Sequence, residues 1–454
     1  MNEPTVIRFE RKQAEADVFQ CKLVSPSLPK TRSVPSLFDV AAFGGRFPEP
    51  PVQNLGNRIY QELCKNAAIK EALGDVLNAR LNTIRPIYID TETVRAESIC
   101  WEALWEDTKR FLALDQRWPI ARRAKADAYI QDADWFAPPL RILAVVSAEN
   151  YPGKPEWGWI YEAARLAIKN GLTVELQVVT GDANLFGEIE RSRAEAAAAI
   201  REPRAVPEDP GALDLIIADF KPHIVHFFCH GVVEQNSGWL VIRTGNKNRP
   251  LKAAIDKLPS LQKAWLVVLN ACDSSVPIGD DAPSMAYLLV TKMGVPFVIG
   301  TLAPIDVLDA HKFSEAFYGR LLFKFSEAFN AARPKESITI GWTEALYAAR
   351  DAIDRKNMQA PERNNQWTLP VLYERGDKFV IWRDPLWTPA PPAGKEPPIL
   401  APVPERRKTD PMVIRANMAA DLLRSLPPDM PEAIKLALVE SILNPKTEQA
   451  AAHG

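Results

Sequence analysis

Two short patterns in this chain could together bring a thiol to a carbonyl carbon. Phe228-Cys229-His230-Gly231 closes one apolar run, and Asn270-Ala271-Cys272-Asp273-Ser274-Ser275 closes the next. A free cysteine has a pKa of about 8.5, so little of it is thiolate at neutral pH, and an adjacent imidazole corrects this by accepting the proton. In that arrangement Cys272 is the nucleophile and His230 the base. Gly231 has no side chain to keep a substrate carbonyl from its backbone N–H, and with the N–H of Cys272 it would form an oxyanion hole. The chemistry implied is acyl transfer to sulfur, as in peptide-bond hydrolysis.

Such a dyad needs two neighbouring parallel strands that end on one rim. From residue 140 the sequence supplies apolar runs separated by helical segments, the pattern of a parallel sheet buried on both faces. The runs are 140–148, 172–179, 223–231, 264–272 and 295–301, with helices expected at 157–169, 211–220, 253–257 and 282–292. Repeated β-α-β crossovers predict a doubly wound α/β domain, whose functional groups collect past the carboxyl ends of its strands. Two further helices are expected at 310–323 and 343–352, and 367–382 reads as a closing edge segment.

Upstream, 5–24 reads as short alternating strands, followed by a helix over 55–81 and a strand at 84–89. The expected organisation is an α+β lead-in over 1–135 packed on a peptidase unit at 136–385. A Pro-rich linker at 386–410 and a helical tail at 411–454 follow, the tail helices at 411–425 and 431–443.

Composition narrows the function classes. Of 454 residues 47% are hydrophobic and 25% charged, which excludes a wholly disordered or collagen-like chain. Fifty-five Lys and Arg against 57 Asp and Glu leave no basic excess to neutralise a phosphate backbone, so nucleic acid is not an expected partner. No stretch approaches the roughly 18–20 apolar residues that span a bilayer, and the first dozen residues lack an apolar secretion core, so a cytosolic protein is expected. The five cysteines are scattered without a CxxC pair, which suits neither a disulfide framework nor a zinc ribbon.

Other candidates read more plainly. His223, His226, Cys229 and His230 lie on one extended run that sends alternate side chains to opposite faces, so they do not converge on a metal. Cys229 reads as core, His311 as a helix cap or surface packing, and Asp306 and Asp309 as helix N-terminal residues. Trp101, Glu102 and Trp105 read as packing under the sheet.

The strand-borne HFFCHG and LVVLNACDSS, with the later MGVPFVIGTLAPID and FSEAFYGRLL, resemble the CHAT domain, a caspase-like cysteine peptidase module of clan CD found mostly in bacteria. IYIDTETVRAESICWEALWED, PLRILAVVSAEN, TEALYAARDAI and WTLPVLYERG extend the resemblance over roughly residues 55–385. It implies a caspase-like sheet, with His230 as catalytic histidine, Cys272 as nucleophile and no cofactor.

The resemblance also implies a pocket that reads the residue before the scissile bond. Glu149, Asp273, Asp280 and Asp281 are its candidate readers, and an acidic pocket would favour Arg or Lys. Further implications are a protein substrate, such as a pore-former or toxin precursor, and control by a sensor or activator in bacterial defence. The peptide-repeat partner domain common in the family is not visible here. The insertion after Gly231 and the loop 276–284 are the expected mobile segments. Two other classes fit the same residues: a catalytically silent interaction module, and a thiol hydrolase acting on a non-peptide ester or amide.

Overall fold

The computed structural model describes residues 4–11, 18–25, 34–39, 43, 52–78, 84–91, 94–127, 133–196, 200–234, 237–246, 249–278, 283–358, 365–376 and 379–387. The expected tail, and the linker from 388 onward, lie outside the described residues.

In chain order the first strands are β1 (Thr5–Arg11), β2 (Val18–Ser25) and β3 (Ser36–Asp39), followed by helices α1 (Gln53–Leu63) and α2 (Ala67–Leu77). Next come β4 (Ile87–Thr91), the short α3 (Val94–Glu97), the hairpin β5 (Trp105–Glu106) and β6 (Arg110–Phe111), β7 (Ile120–Ala124) and β8 (Ala133–Phe136). The α/β body follows as β9 (Leu140–Val146), α4 (Lys154–Lys169), β10 (Val174–Thr180), α5 (Ala183–Ala196), β11 (Arg204–Ala205), α6 (Pro210–Phe220) and β12 (Ile224–Phe228). After it stand β13 (His230–Glu234), β14 (Ser237–Ile242), β15 (Leu251–Ala254), β16 (Leu266–Asn270), α7 (Met285–Thr291), β17 (Phe297–Thr301) and α8 (Val307–Ala331). The described chain ends with β18 (Ser337–Ile338), α9 (Trp342–Asn357), β19 (Pro370–Arg375) and β20 (Val380–Arg383).

The largest sheet runs β11-β10-β9-β12-β16-β17-β19-β7-β4-β1-β2-β3. Strands β11 through β17 are mutually parallel, and so are β19 through β1. The two blocks meet antiparallel at β17 and β19. In the first block the chain winds outward from β9 in both directions, so the strand order reverses between β9 and β12. That reversal is the topological switch point of a doubly wound sheet. The molecule is a mixed α/β fold with a mostly parallel sheet flanked by helices, as expected from the alternating pattern.

Local chemistry explains where the elements begin. Asn66 breaks the expected 55–81 helix in two, because its side chain accepts the N–H groups of Ala68 and Ile69 and caps α2. Asp209 caps α6 with Pro210 at its first turn, and Ser284 and Asp306 cap α7 and α8. The central strands IVHFF, LVVLN and FVIGT are buried at every position, which is why they read as unbroken apolar runs. Helices α4, α8 and α9 pack side by side as one layer.

The structure departs from the sequence expectations in four further places. Strand β19, read as a closing edge, lies mid-sheet, because β7, β4 and β1 from the first 135 residues continue the sheet beyond it. The insertion after Gly231, expected to be mobile, forms the antiparallel sheet β13-β14-β15, with Gly238, Leu240 and Ile242 buried on alternate positions. The helix expected at 253–257 is the end of β15 and a single 3-10 turn. Helix α5 falls where none was expected. No helix among the described residues is long and apolar enough to cross a membrane.

Candidate active site

Three neighbouring parallel strands deliver the candidate residues to one rim. In the register of β9, β12 and β16, Val146 lies opposite Phe228 and Phe228 opposite Asn270. His230 and Cys272 are therefore each two residues past the same cross-strand pair, beside the switch point. Glu149 is three residues past Val146 on the other side.

The histidine arm leaves the main sheet at Phe228 and starts β13. Its imidazole Nε2 lies 2.9 Å from the carbonyl oxygen of Glu149. A carbonyl can only accept, so Nε2 carries the proton and Nδ1 is left with the lone pair. The Tyr151 ring sits 5.6 Å from the imidazole, centroid to centroid, at 48°. Ser147 secures the arm's base: its N–H donates to the Phe228 carbonyl, and its hydroxyl donates to the Arg243 carbonyl at 2.6 Å while accepting the Gly181 N–H.

The cysteine arm is pinned by β17. Thr301 Oγ1 donates to the Ala271 carbonyl at 2.6 Å, the Thr301 N–H donates to Ser274 Oγ, and the Ser275 N–H donates to the Thr301 carbonyl. Ser274 and Ser275 are fully buried, so this pair braces the rim from below. Asp273 takes a left-handed conformation at φ 56°, which Asp tolerates better than most residues, and the turn reverses the chain directly after the sulfur.

The two arms touch at Gly231. A Cβ added there would sit 1.9 Å from the Cys272 carbonyl oxygen. Only glycine allows this approach, so the residue type is required by the contact of the two rims.

Cys272 is half-buried, and burial pushes its thiol above the usual range. The Asp273 carboxylate pushes the same way, while the N–H groups of Ile305 and of Cys272 itself hydrogen-bond the sulfur and oppose it. The resting group is a thiol, and the imidazole's task would be to remove its proton as the sulfur attacks. Cys229 is buried and its thiol is pushed further up, first by burial and then by Cys272, which fits a core residue.

The remaining candidates divide. Asp273 is beside the sulfur, and burial raises its carboxyl above the ordinary range. Glu149 meets the site through its carbonyl, holding His230. Asp280 and Asp281 lie outside the described residues.

A family model, the CHAT domain, matches residues 53–336. The chain belongs to the CHAT-domain family. All the strands and loops of the rim fall inside the CHAT match, whereas β1–β3, α9 and β19 fall outside it. CHAT membership makes this a chain of a cysteine-peptidase-like family. Among solved structures, it is similar to the Arg-specific cysteine proteinase gingipain R, with 9% identity and a TM-score of 0.40 over 69% of this chain and 68% of that one. No curated protein matches it.

Several residues around the CHAT rim escaped the sequence reading. His311, read as a cap or surface residue, is buried, with Nδ1 2.7 Å from Glu156 Oε2. His226 Nε2 lies 2.8 Å from Glu156 Oε1. A histidine amid a wholly apolar buried strand does signal a buried polar partner, but its spacing cannot name which one. A second buried cluster anchors the far end of the cysteine loop, where Ser284 Oγ donates to Glu97 Oε1 and the Tyr373 hydroxyl donates to the same oxygen at 2.8 Å. Beneath it Arg122 pairs with Glu102 through two hydrogen bonds of 3.2 and 2.8 Å, so Glu102 is internally paired.

Proposed function

We propose that this chain is a caspase-like cysteine endopeptidase that cleaves a protein substrate in a bacterial regulated-proteolysis or defence system. The observation that carries the reading is the shared register of β12 and β16, with Gly231 in contact with the Cys272 carbonyl.

In the reaction, the sulfur of Cys272 attacks the scissile carbonyl carbon as His230 Nδ1 takes its proton. The carbonyl π pair moves onto oxygen, where the N–H groups of Gly231 and Cys272 stabilise it. Collapse breaks the C–N bond, and the amine leaves with the proton from His230. Water then attacks the thioester, again deprotonated by His230, and hydrolysis returns the thiol. The Glu149 carbonyl keeps the imidazole in the tautomer with Nδ1 free, as an orienting group does in a triad. No cofactor takes part.

Asp273 beside the sulfur and Glu149 on the loop after β9 would favour Arg or Lys before the scissile bond. A cytoplasmic location, a pore-former or toxin precursor as substrate, and control by a sensor or activator complete the reading. The test is co-expression with proteins encoded beside it and sequencing of the fragments. Cleavage that disappears with Cys272→Ala supports the peptidase, and cleavage that persists unchanged in that variant overturns it.

A second reading, a catalytically silent interaction module, draws on the thiol being pushed up rather than down. Partner capture that is equal for the native chain and Cys272→Ala, with no fragments from either, would favour it.

A further inference from the structure

The buried carboxylate of Glu156 touches every arm of the rim without reaching it. Glu156 is in the first turn of α4 and is fully buried. Its Oε1 accepts the Asn270 side-chain amide at 2.9 Å and the Ser314 hydroxyl, and lies 2.8 Å from His226 Nε2. Its Oε2 lies 2.7 Å from His311 Nδ1. Each partner leads directly to the site. Asn270 ends β16, two residues before Cys272. His226 is on β12, four residues before His230. His311 and Ser314 open α8, whose lead-in brings the Ile305 N–H to the sulfur. The lead-in to α4 itself carries the Glu149 carbonyl that holds His230.

We propose that Glu156 is a positioning residue that sets the distance between His230 and Cys272 by tying β12, β16, α4 and α8 to one buried carboxylate. This deepens the peptidase reading and rests on it.

A charge this deep is costly unless its lone pairs are filled, and here three hydrogen bonds from two other elements, from Asn270 on β16 and from Ser314 and His311 on α8, fill them, with the His226 ring of β12 alongside. Burial works to raise the Glu156 carboxyl, but the neighbouring His226 and His311 imidazoles outweigh it and hold the group down at about 2. The hub is therefore ionised throughout the neutral range. Glutamine fits the space but presents one acceptor oxygen and one NH2 to a ring of donors, so at least one arm must turn away.

The experiment is a double-mutant cycle on the full chain, read as the rate of Cys272 alkylation by iodoacetamide at pH 7, mapped by mass spectrometry with Cys64 as internal reference. In the native background, His230→Ala is expected to slow Cys272 alkylation about tenfold, within the range of directly coupled groups. In the Glu156→Gln background the same change is expected to alter the rate less than about twofold, because the imidazole no longer faces the sulfur. An unchanged Cys64 rate reports an intact fold.

If His230→Ala has no effect in the native background, the dyad reading fails. If it slows Cys272 equally in both backgrounds, the dyad stands and the positioning role is overturned. Should Glu156→Gln not fold, His311→Ala and His311→Gln decide. The coupling is expected to fall with alanine and return with glutamine, whose amide again donates to Oε2, and equal coupling in both overturns the proposal.

Discussion

The carbonyl oxygen of Glu149 accepts the Nε2 proton of His230 at 2.9 Å, and this one hydrogen bond decides which imidazole nitrogen keeps its lone pair. It joins the loop after β9 to the arm after β12 across the strand-order reversal, one strand away from the cysteine arm after β16.

The contact of Gly231 with the Cys272 carbonyl gives a steric prediction. Gly231→Ala places a methyl carbon 1.9 Å from that oxygen, so the two rims must separate. A displacement of this kind is expected to lower turnover by about a hundredfold. Peptidase kinetics and a thermal melt check it: near-native turnover by a folded alanine variant contradicts the contact.

The state of the thiol predicts a pH profile. Because burial and then Asp273 push Cys272 upward, its alkylation rate is expected to keep rising past pH 9, with no plateau in the neutral range. Asp273→Asn removes the anionic contribution and is expected to move the curve to lower pH. A rate already level at pH 7 would mean a preformed thiolate and would contradict the general-base role of His230.

Glu97 predicts a pH-dependent stability effect. Burial lifts Glu97 from 4.5 to about 7, against hydrogen bonds from Ser284 and Tyr373. Between those values the unfolded chain has lost the proton and the folded chain keeps it, so the stabilisation is full below pH 4.5 and is lost as pH rises through 7. The full shift corresponds to about 3 kcal/mol. Urea unfolding at pH 5 and pH 8 should show the native chain losing stability relative to Glu97→Gln by an amount of that order. A constant difference between the two proteins would remove Glu97 as the titrating group.

Glu97 and Glu156 also mark what the sequence conceals. The parallel block was legible, because strands buried on both faces are apolar throughout, and the ends of the third and fourth runs fall within three residues of Phe228 and Asn270. His230, Gly231 and Cys272 were legible because residues past parallel strand ends share a rim. The mid-sheet place of β19 was not, since its pairing with β7 joins segments some 250 residues apart, and no local pattern encodes that partner. Nor was the hub legible. Glu156 looks like an ordinary acidic residue in a first helical turn, and only the packing of α4 against α8 brings His311 and Ser314 to it.

A peptidyl acyloxymethyl ketone carrying Arg at its reactive end probes the proposed base–nucleophile pair of His230 and Cys272. A working pair gives covalent capture at Cys272 faster than at Cys64 by about a hundredfold or more, slowed by His230→Ala to near the Cys64 rate. Labelling that favours another cysteine, or Cys272 labelling that is indifferent to His230, would contradict it.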